Sequence, residues 1–314
     1  MSLRVIFMGT PQLACPSLVA LMECADLEVV GVVTQPDRPK GRDLKVSASP
    51  VKELALRHGR TVWQPVKARD EQFLATIRAA KPDLVVVTAF GQILPQSLLD
   101  IPRFGCVNVH TSLLPKYRGA APIQWAILNG ESETGITIMQ MDAGLDTGPI
   151  LAQQRIAILD TDDAQTLHDR LAQVGAKLLV QTIPGYIAGE IKPSPQPEAQ
   201  VTYARKITKA DGQLDWTRPA RDLWNQVRGL VPWPGCFTFT QDANRSLLKI
   251  WSAEVDSASG TPGEIIAADK RGIVVGCGGQ ALKILMLQRE GARRLTPQQF
   301  LAGTVMRAGQ RFGS

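Results

Sequence analysis

Cysteine is scarce in this chain of 314 residues: Cys15, Cys24, Cys106, Cys236 and Cys277 make five, an odd number with no CxxC pair. That argues against a disulfide framework and against a zinc site, and the mostly apolar runs around them suit reduced, buried thiols. Histidine is scarcer, with three residues, and aromatic residues make up 5%. No run of about 18 apolar residues is present, which excludes a membrane-spanning helix. The chain starts on a strand-like run where a targeting segment would be basic and then apolar, so a cytoplasmic protein is expected. No internal repeat or low-complexity tract occurs. What remains is an ordinary globular composition, 44% hydrophobic and 20% charged with a mean hydropathy of −0.03, which excludes disordered and fibrous classes. The length suffices for two domains.

Charge is unevenly placed. Residues 1–205 hold 20 Lys+Arg against 20 Asp+Glu, whereas residues 206–314 hold 15 against 9, so the whole net charge of +6 lies in the last third. A neutral larger part suits chemistry on a small molecule, and a basic smaller part either attracts a polyanion or is simply a solvated surface.

Residues 4–9 (RVIFMG) form an apolar run ending in Gly-Thr-Pro, after which Ala14, Leu18, Leu21 and Met22 recur at helical spacing: a strand, a turn and a helix. Residues 28–33 (EVVGVV), 84–88 (LVVVT) and 106–110 (CVNVH) read as further buried strands. Residues 35–50 (QPDRPKGRDLKVSASP) carry four cations against two acids among Pro and Gly, the mark of an exposed basic loop. Leu167, Leu171, Val174 and Leu178 predict a helix capped by Asp162 and Asp163. Strands alternating with helices predict a doubly wound, mostly parallel Rossmann-like α/β sheet over residues 1–189, with ligands beyond the carboxyl ends of the strands. This part lacks GxGxxG and GxxxxGK[ST], which argues against a dinucleotide or ATP. Three prolines in five residues make 190–205 a stiff linker. Beyond it, one helix bearing Leu223, Trp224, Val227 and Leu230 precedes five short strand-like runs, and these predict an OB-like β-barrel over residues 206–314.

Chemistry concentrates in residues 105–149. Asn108 and His110 alternate with Val107 and Val109, so period-two geometry puts both polar side chains on one face at the sheet's carboxyl edge. An amide donor beside an imidazole suits charge stabilisation and proton transfer, although a structural histidine fits the pattern equally. Asp146 lies in a glycine-bounded loop, MDAGLDTG, able to return a carboxylate toward His110; its bland alternative is a turn cap, the role favoured for Asp142. Ser112 follows His110 closely, but no GxSxG elbow supports a serine hydrolase. Asp160, Asp162 and Asp163 lack EF-hand spacing.

The segment resembles the folate-dependent formyltransferases. Asn108, His110 and Asp146 match the Asn, His and Asp of that family, and Ser112-Leu113-Leu114-Pro115 followed by Gly119 matches its SLLPxxxG signature. Gly9-Thr10-Pro11, Thr34-Gln35-Pro36-Asp37-Arg38-Pro39, Gly119-Ala120-Ala121-Pro122-Ile123-Gln124 and Pro232-Trp233-Pro234-Gly235 extend the likeness over the whole chain, toward members that formylate the methionine of initiator tRNA. Gln12-Leu13 stands where relatives usually have an acidic residue and Phe, and Thr111 replaces a smaller residue. The resemblance implies 10-formyltetrahydrofolate as formyl donor, initiator Met-tRNA as acceptor, and a monomer with neither metal nor membrane partner. It implies Asn108, His110 and Asp146 as catalytic residues. Phe90, Gly91, Gln92, Met141, Asp142 and Ser112, Leu113, Leu114 and Pro115 would bind the folate, with Ile93 as an apolar wall or ordinary core. Arg38, Lys40, Arg42 and Lys45 would meet tRNA, Arg42 matching the family's loop arginine that reads the unpaired end of the initiator acceptor stem. Two alternatives stay open: a sibling enzyme formylating a nucleotide or nucleotide sugar, and a catalytically inactive RNA-binding OB protein.

Overall fold

The computed structural model describes residues 2–40, 45–241 and 245–313. The chain divides into two compact units. One holds the residues up to Pro122 with Glu133–Ala157 and His168–Ala204; the other holds Ile123–Ser132, Ile158–Leu167 and the residues from Arg205 onward.

In the first unit the chain runs through β1 (Leu3–Gly9), α1 (Cys15–Glu23), β2 (Leu27–Val33), β3 (Arg38–Lys40), β4 (Lys45–Ser47), α2 (Pro50–Arg57), β5 (Val62–Trp63), α3 (Glu71–Ala80), β6 (Leu84–Thr88), α4 (Gln96–Leu99), β7 (Cys106–His110) and β8 (Arg118–Gly119). After α5 (Pro122–Leu128), which belongs from Ile123 onward to the second unit, come β9 (Glu133–Gln140), β10 (Ile150–Ala157), α6 (Ala164–Ile187), in this unit from His168 onward, and β11 (Tyr203–Ala204). Seven strands form one sheet in the order β10-β9-β7-β6-β1-β2-β5. The five on the β5 side pair in parallel, and β9 and β10 add antiparallel to β7. Parallel strands covered on both faces need apolar residues at every position, and β6 buries all five of its residues. On one face Ile6, Met8, Val85 and Val87 pack with Phe73, Leu74 and Ile77 of α3. At the far edge β10 turns Gln153, Gln154 and Arg155 outward, polar side chains that discourage another strand from adding there.

Sequence pattern locates β1, β2, β6 and β7 within one residue at each end and passes over β9 and β10. Two other segments differ from expectation. The basic loop of residues 35–50 contains an antiparallel hairpin, with β3 paired to β4. The segment read as a linker is woven into this unit: Ser194 exchanges both backbone hydrogen bonds with Ile150 (2.7 and 2.8 Å), and β11 pairs in parallel with β8.

The second unit has α7 (Ala220–Gly229), β12 (Cys236–Thr240), β13 (Leu247–Asp256), β14 (Ile265–Asp269), β15 (Gly272–Gly276), β16 (Ala281–Arg289), α8 (Pro297–Leu301) and β17 (Phe312–Gly313). Six strands form a curled antiparallel sheet in the order β14-β15-β16-β13-β12-β17, a half-barrel, coarser than the OB-like β-barrel expected from the sequence. Its two ends approach each other, since Phe312 donates its N–H to Gly263 O (2.8 Å) and Ile265 donates to Gln310 O (2.8 Å). Buried Trp216 stacks on Phe312 and donates to Thr238 Oγ1 (3.0 Å) inside the curl. Ile158–Leu167 joins this unit partly through buried Arg228, whose guanidinium donates to Leu159 O (2.9 Å) and Asp162 O (3.2 Å).

Candidate active site

The sheet order reverses at β1: the chain moves outward to β2 and β5, then returns to β6 and β7 on the other side. Crevices at the carboxyl ends of strands open at such reversals, and a cleft of about 530 Å³ lies at the ends of β6 and β7. Its lining includes Asn108, His110, Asp146, Phe90, Gly91 and Gln92.

His110 is buried and Asn108 half-buried, both at the end of the β7 pleat. His110 Nε2 lies 3.0 Å from Tyr117 O. A carbonyl only accepts, so Nε2 carries a hydrogen, and the other ring nitrogen, Nδ1, lies 3.7 Å from Asp146 Oδ2. Asp146 accepts from Asn108 Nδ2 at Oδ1 (3.3 Å) and from the Gly119 N–H at Oδ2 (2.9 Å). The three residues picked from 105–149 are thus brought together across a separation of 38 residues. Asp146 adopts a left-handed backbone (φ 53°), a conformation that Asp tolerates better than most residues.

The loop after β6 is held from below by the other two motifs. Thr10 Oγ1 and Gln35 Nε2 each donate to Phe90 O (3.0 Å), and Gly91 (φ 84°) sits where an added Cβ would come within 2.8 Å of Gln35 Nε2. Gln92 faces the cleft while its amide is tied to Ala68 N (2.8 Å) and Val66 O (3.3 Å). Phe90 is core and cleft floor at once. Ile93 is 80% exposed on the cleft rim, so the core reading for it is corrected. Leu13 supplies an aliphatic wall, and Thr111, Met141 and exposed Leu145 also line the cleft.

Ser112, Leu113, Leu114 and Pro115 do not line the cleft. Ser112 Oγ donates to Lys116 O (2.6 Å), the Leu114 N–H donates to Thr137 Oγ1 (3.0 Å), and Gln153 donates to Leu114 O (2.9 Å), so the signature is a turn clamped to β9 and β10. Asp142 also stays out of the cleft; Oδ1 accepts from the Gly144 N–H (3.0 Å) and Thr147 Oγ1 (2.6 Å), a turn carboxylate. None of these five expected folate residues lines the cleft.

Of the basic residues, Arg38 donates to Gln35 Oε1 (2.7 Å) beside Asp37, whose carboxyl is held below its usual range by hydrogen bonds from Lys52 and Gln64. Lys40 and Lys45 are backbone partners in the β3–β4 register, and Arg42 lies outside the described residues. Buried Arg118 and Gln196, next to the Asp146 turn, were not singled out from the sequence; the only signal was their place beside glycine and proline. Among the described residues no cluster of His, Cys, Asp and Glu is arranged to hold a metal, and no helix is long and apolar enough to cross a membrane.

Among solved structures the fold matches HypX from Aquifex aeolicus in complex with tetrahydrofolic acid (17% identity, TM-score 0.63), covering 97% of this chain and 48% of that one, so this chain spans about half of HypX. It also matches WlaRD, a sugar 3N-formyl transferase (20% identity, TM-score 0.66), over 93% of this chain and all of that one. Methionyl-tRNA formyltransferase of Citrifermentans bemidjiense is 50% identical over 311 residues, 99% of this chain and 96% of that protein. Its counterpart in Geobacter sulfurreducens is 51% identical over 311 residues, 99% and 97%. Residues 3–183 match the formyl transferase family and residues 206–305 match the formyl transferase C-terminal domain, so the chain that carries this cleft belongs to the formyl transferases.

Proposed function

We propose that this protein transfers a formyl group from 10-formyltetrahydrofolate to the α-amino group of methionine on initiator tRNA, in the cytoplasm and as a monomer. The observation that carries the reading is the convergence of Asn108, His110 and Asp146 on one cleft. Around it, half-identical relatives named methionyl-tRNA formyltransferase match almost end to end, which favours tRNA over a nucleotide or sugar acceptor.

The chemistry follows from atoms in place. When the amine attacks the formyl carbon, the formyl oxygen gains negative charge. Asn108 spends one amide hydrogen on Asp146 and has a second for that oxygen. In its neutral form, with the hydrogen on Nε2 toward Tyr117 O, His110 has Nδ1 free to take the proton the amine must lose, and the Asp146 carboxylate stabilises the imidazolium that results. The same proton is then available to the leaving folate nitrogen. No covalent enzyme intermediate is needed. The cleft volume falls in the range that holds a folded small molecule, and Leu13, Phe90 and Ile93 offer apolar walls to a pterin.

Residues 1–189 act as the catalytic domain, 190–205 as the connection, and 206–314 as an OB-like domain that binds tRNA, a reading supported by the bridged ends of the curled sheet and by the positive excess there. Arg38, Lys40, Arg42 and Lys45 belong to the tRNA side. Incubating the purified protein with 10-formyltetrahydrofolate and Met-tRNA tests the proposal: formylmethionyl-tRNA is expected, and its absence with a stable, folate-binding protein overturns it.

A further inference from the structure

The Asp146 turn is held from behind by a side chain of the segment that connects the two domains. Gln196 is 8% exposed and its Nε2 donates to both Asp146 O (2.8 Å) and Gly148 O (2.7 Å). Its Oε1 in turn accepts from Arg118 Nε (3.0 Å), and Arg118 is 2% exposed. The next residue, Gly119, donates its N–H to Asp146 Oδ2. The result is a closed ring: one dipeptide grips the Asp146 carboxylate by its backbone and, through Gln196, the Asp146 carbonyl by its side chain.

The local sequence explains why Gln196 can serve as a fixed point. It stands between Pro195 and Pro197, so proline locks φ on both sides and keeps Gln196 itself extended. One residue before that pair, Ser194 is stitched to Ile150 at the start of β10, four residues past Asp146. Thr202 Oγ1 accepts from the Tyr117 N–H (2.9 Å) and its carbonyl accepts from the Arg118 N–H (2.9 Å). The connecting segment therefore touches the loops bearing both Asp146 and the Tyr117 carbonyl that fixes the His110 tautomer. The turn needs such support. Asp146 is left-handed, and Gly148 lies so close to the Gln140 carbonyl that an added Cβ would sit 1.9 Å from it. Without the Gln196 amide, two carbonyls of this turn lose their side-chain donor.

We infer that Gln196, fixed by Arg118, is a positioning residue for the reaction: it sets where the Asp146 carboxylate stands relative to His110 and Asn108 without touching substrate. This rests on the reaction proposed above. The connecting segment is thus part of the catalytic apparatus as well as a tether.

Two variants test it. Gln196→Met keeps the volume and removes the amide; Gln196→Glu keeps the length and the Arg118 contact but sets acceptors against two carbonyl oxygens. Both are followed by steady-state formylation of Met-tRNA, by donor affinity, and by hydrogen exchange of the backbone amides of residues 142–149 in the substrate-free protein. Expected are a fall in kcat of about tenfold or more with KM for both substrates within about twofold, as a misplaced catalytic group requires, and faster exchange confined to 142–149. Unchanged exchange with unchanged kcat in the folded variants, or a loss that falls on KM alone, overturns the inference. The exchange reading needs no substrate, so a wild-type protein inert toward Met-tRNA but loosened at 142–149 by these variants would sink the proposed reaction and leave the positioning role standing.

Discussion

Both oxygens of Asp146 are already in use before any substrate arrives, one on the Asn108 amide and one on the Gly119 N–H. Asp146→Asn has a single acceptor oxygen, so its new amide group faces one of two donors, and the carboxylate that would balance an imidazolium is gone. The loss should fall on the chemical step: single-turnover rates should drop far more than donor affinity, and equal losses in both would make Asp146 a folate-loop scaffold instead. Asn108→Ala and His110→Ala should fold, as judged by circular dichroism, and each lose about a hundredfold or more in formyl transfer, the scale of one oxyanion donor or one general base. The cysteines behave oppositely, as residues without chemistry. Burial pushes the Cys106 thiol up to about 12 and the Cys277 thiol up to about 11, and raises that of Cys236 as well. Since the thiolate is the reactive form, these three should resist a thiol reagent at pH 8 until the protein unfolds. The folded state holds these protons more tightly than the unfolded chain does, so stability should decline as pH rises from 9.0 through about 12. A melting temperature that stays level across that range would contradict the burial of these thiols.

At the scale of elements, the site depends on a short strand pairing that no sequence pattern announces. β8 and β11 are two residues each, and Gly119 (φ 119°) lies where an added Cβ would meet Ala204 O at 2.7 Å. Gly119→Ala should therefore cost about 2 kcal/mol or more in denaturant unfolding, through both the positive φ and the backbone clash, and should lower formyl transfer by shifting the N–H that holds Asp146. A variant as stable as wild type would show that the strap gives way at no cost. The contrast with β6 and β7 explains what was legible. Those strands are buried on both faces, so LVVVT and CVNVH are apolar runs that declare themselves, and the polar alternation of Asn108 and His110 within one of them marks the site. ETGITIMQ of β9 is just as buried from its second residue to its seventh, but a strand that turns antiparallel at the edge of a parallel sheet has no local signature, and polar Gln153 and Gln154 hide β10. The β3–β4 hairpin was masked by the Pro and charge that define its loop. Arg118 and Gln196 were invisible for a deeper reason, because their role lies in a hydrogen bond between residues 78 apart in the chain.

For the molecule as a whole, the question is how one acceptor is chosen among many similar tRNAs. The positive excess lies in residues 206–314. There, on the curled sheet, Phe237 pairs with Lys249, Arg294 stacks 3.7 Å from the ring centre of Trp251, and Arg245 lies 5.1 Å from that of Phe239. Cations interleaved with rings suit a nucleic-acid backbone and its unstacked bases, and they read charge, not sequence. The basic segment of residues 35–50 is different in kind. It follows β2 at the carboxyl side of the sheet, the side where the cleft opens, and its Asp37 and Arg38 are tied down at Lys52, Gln64 and Gln35. Arg42 is the proposed reader of the unpaired acceptor-stem end that marks initiator tRNA. The two groups should fail differently. Arg42→Ala should narrow the gap in formylation between initiator tRNA and a variant with a paired stem end, at every salt concentration. Arg294→Ala should weaken both tRNAs alike and reduce the steepness of the salt dependence by about 0.9, the share of a single neutralised duplex phosphate. Formylation of both tRNAs over a salt series separates them: undiminished discrimination in Arg42→Ala removes that residue from selection, and an unchanged salt slope in Arg294→Ala removes the Trp251 face from tRNA binding.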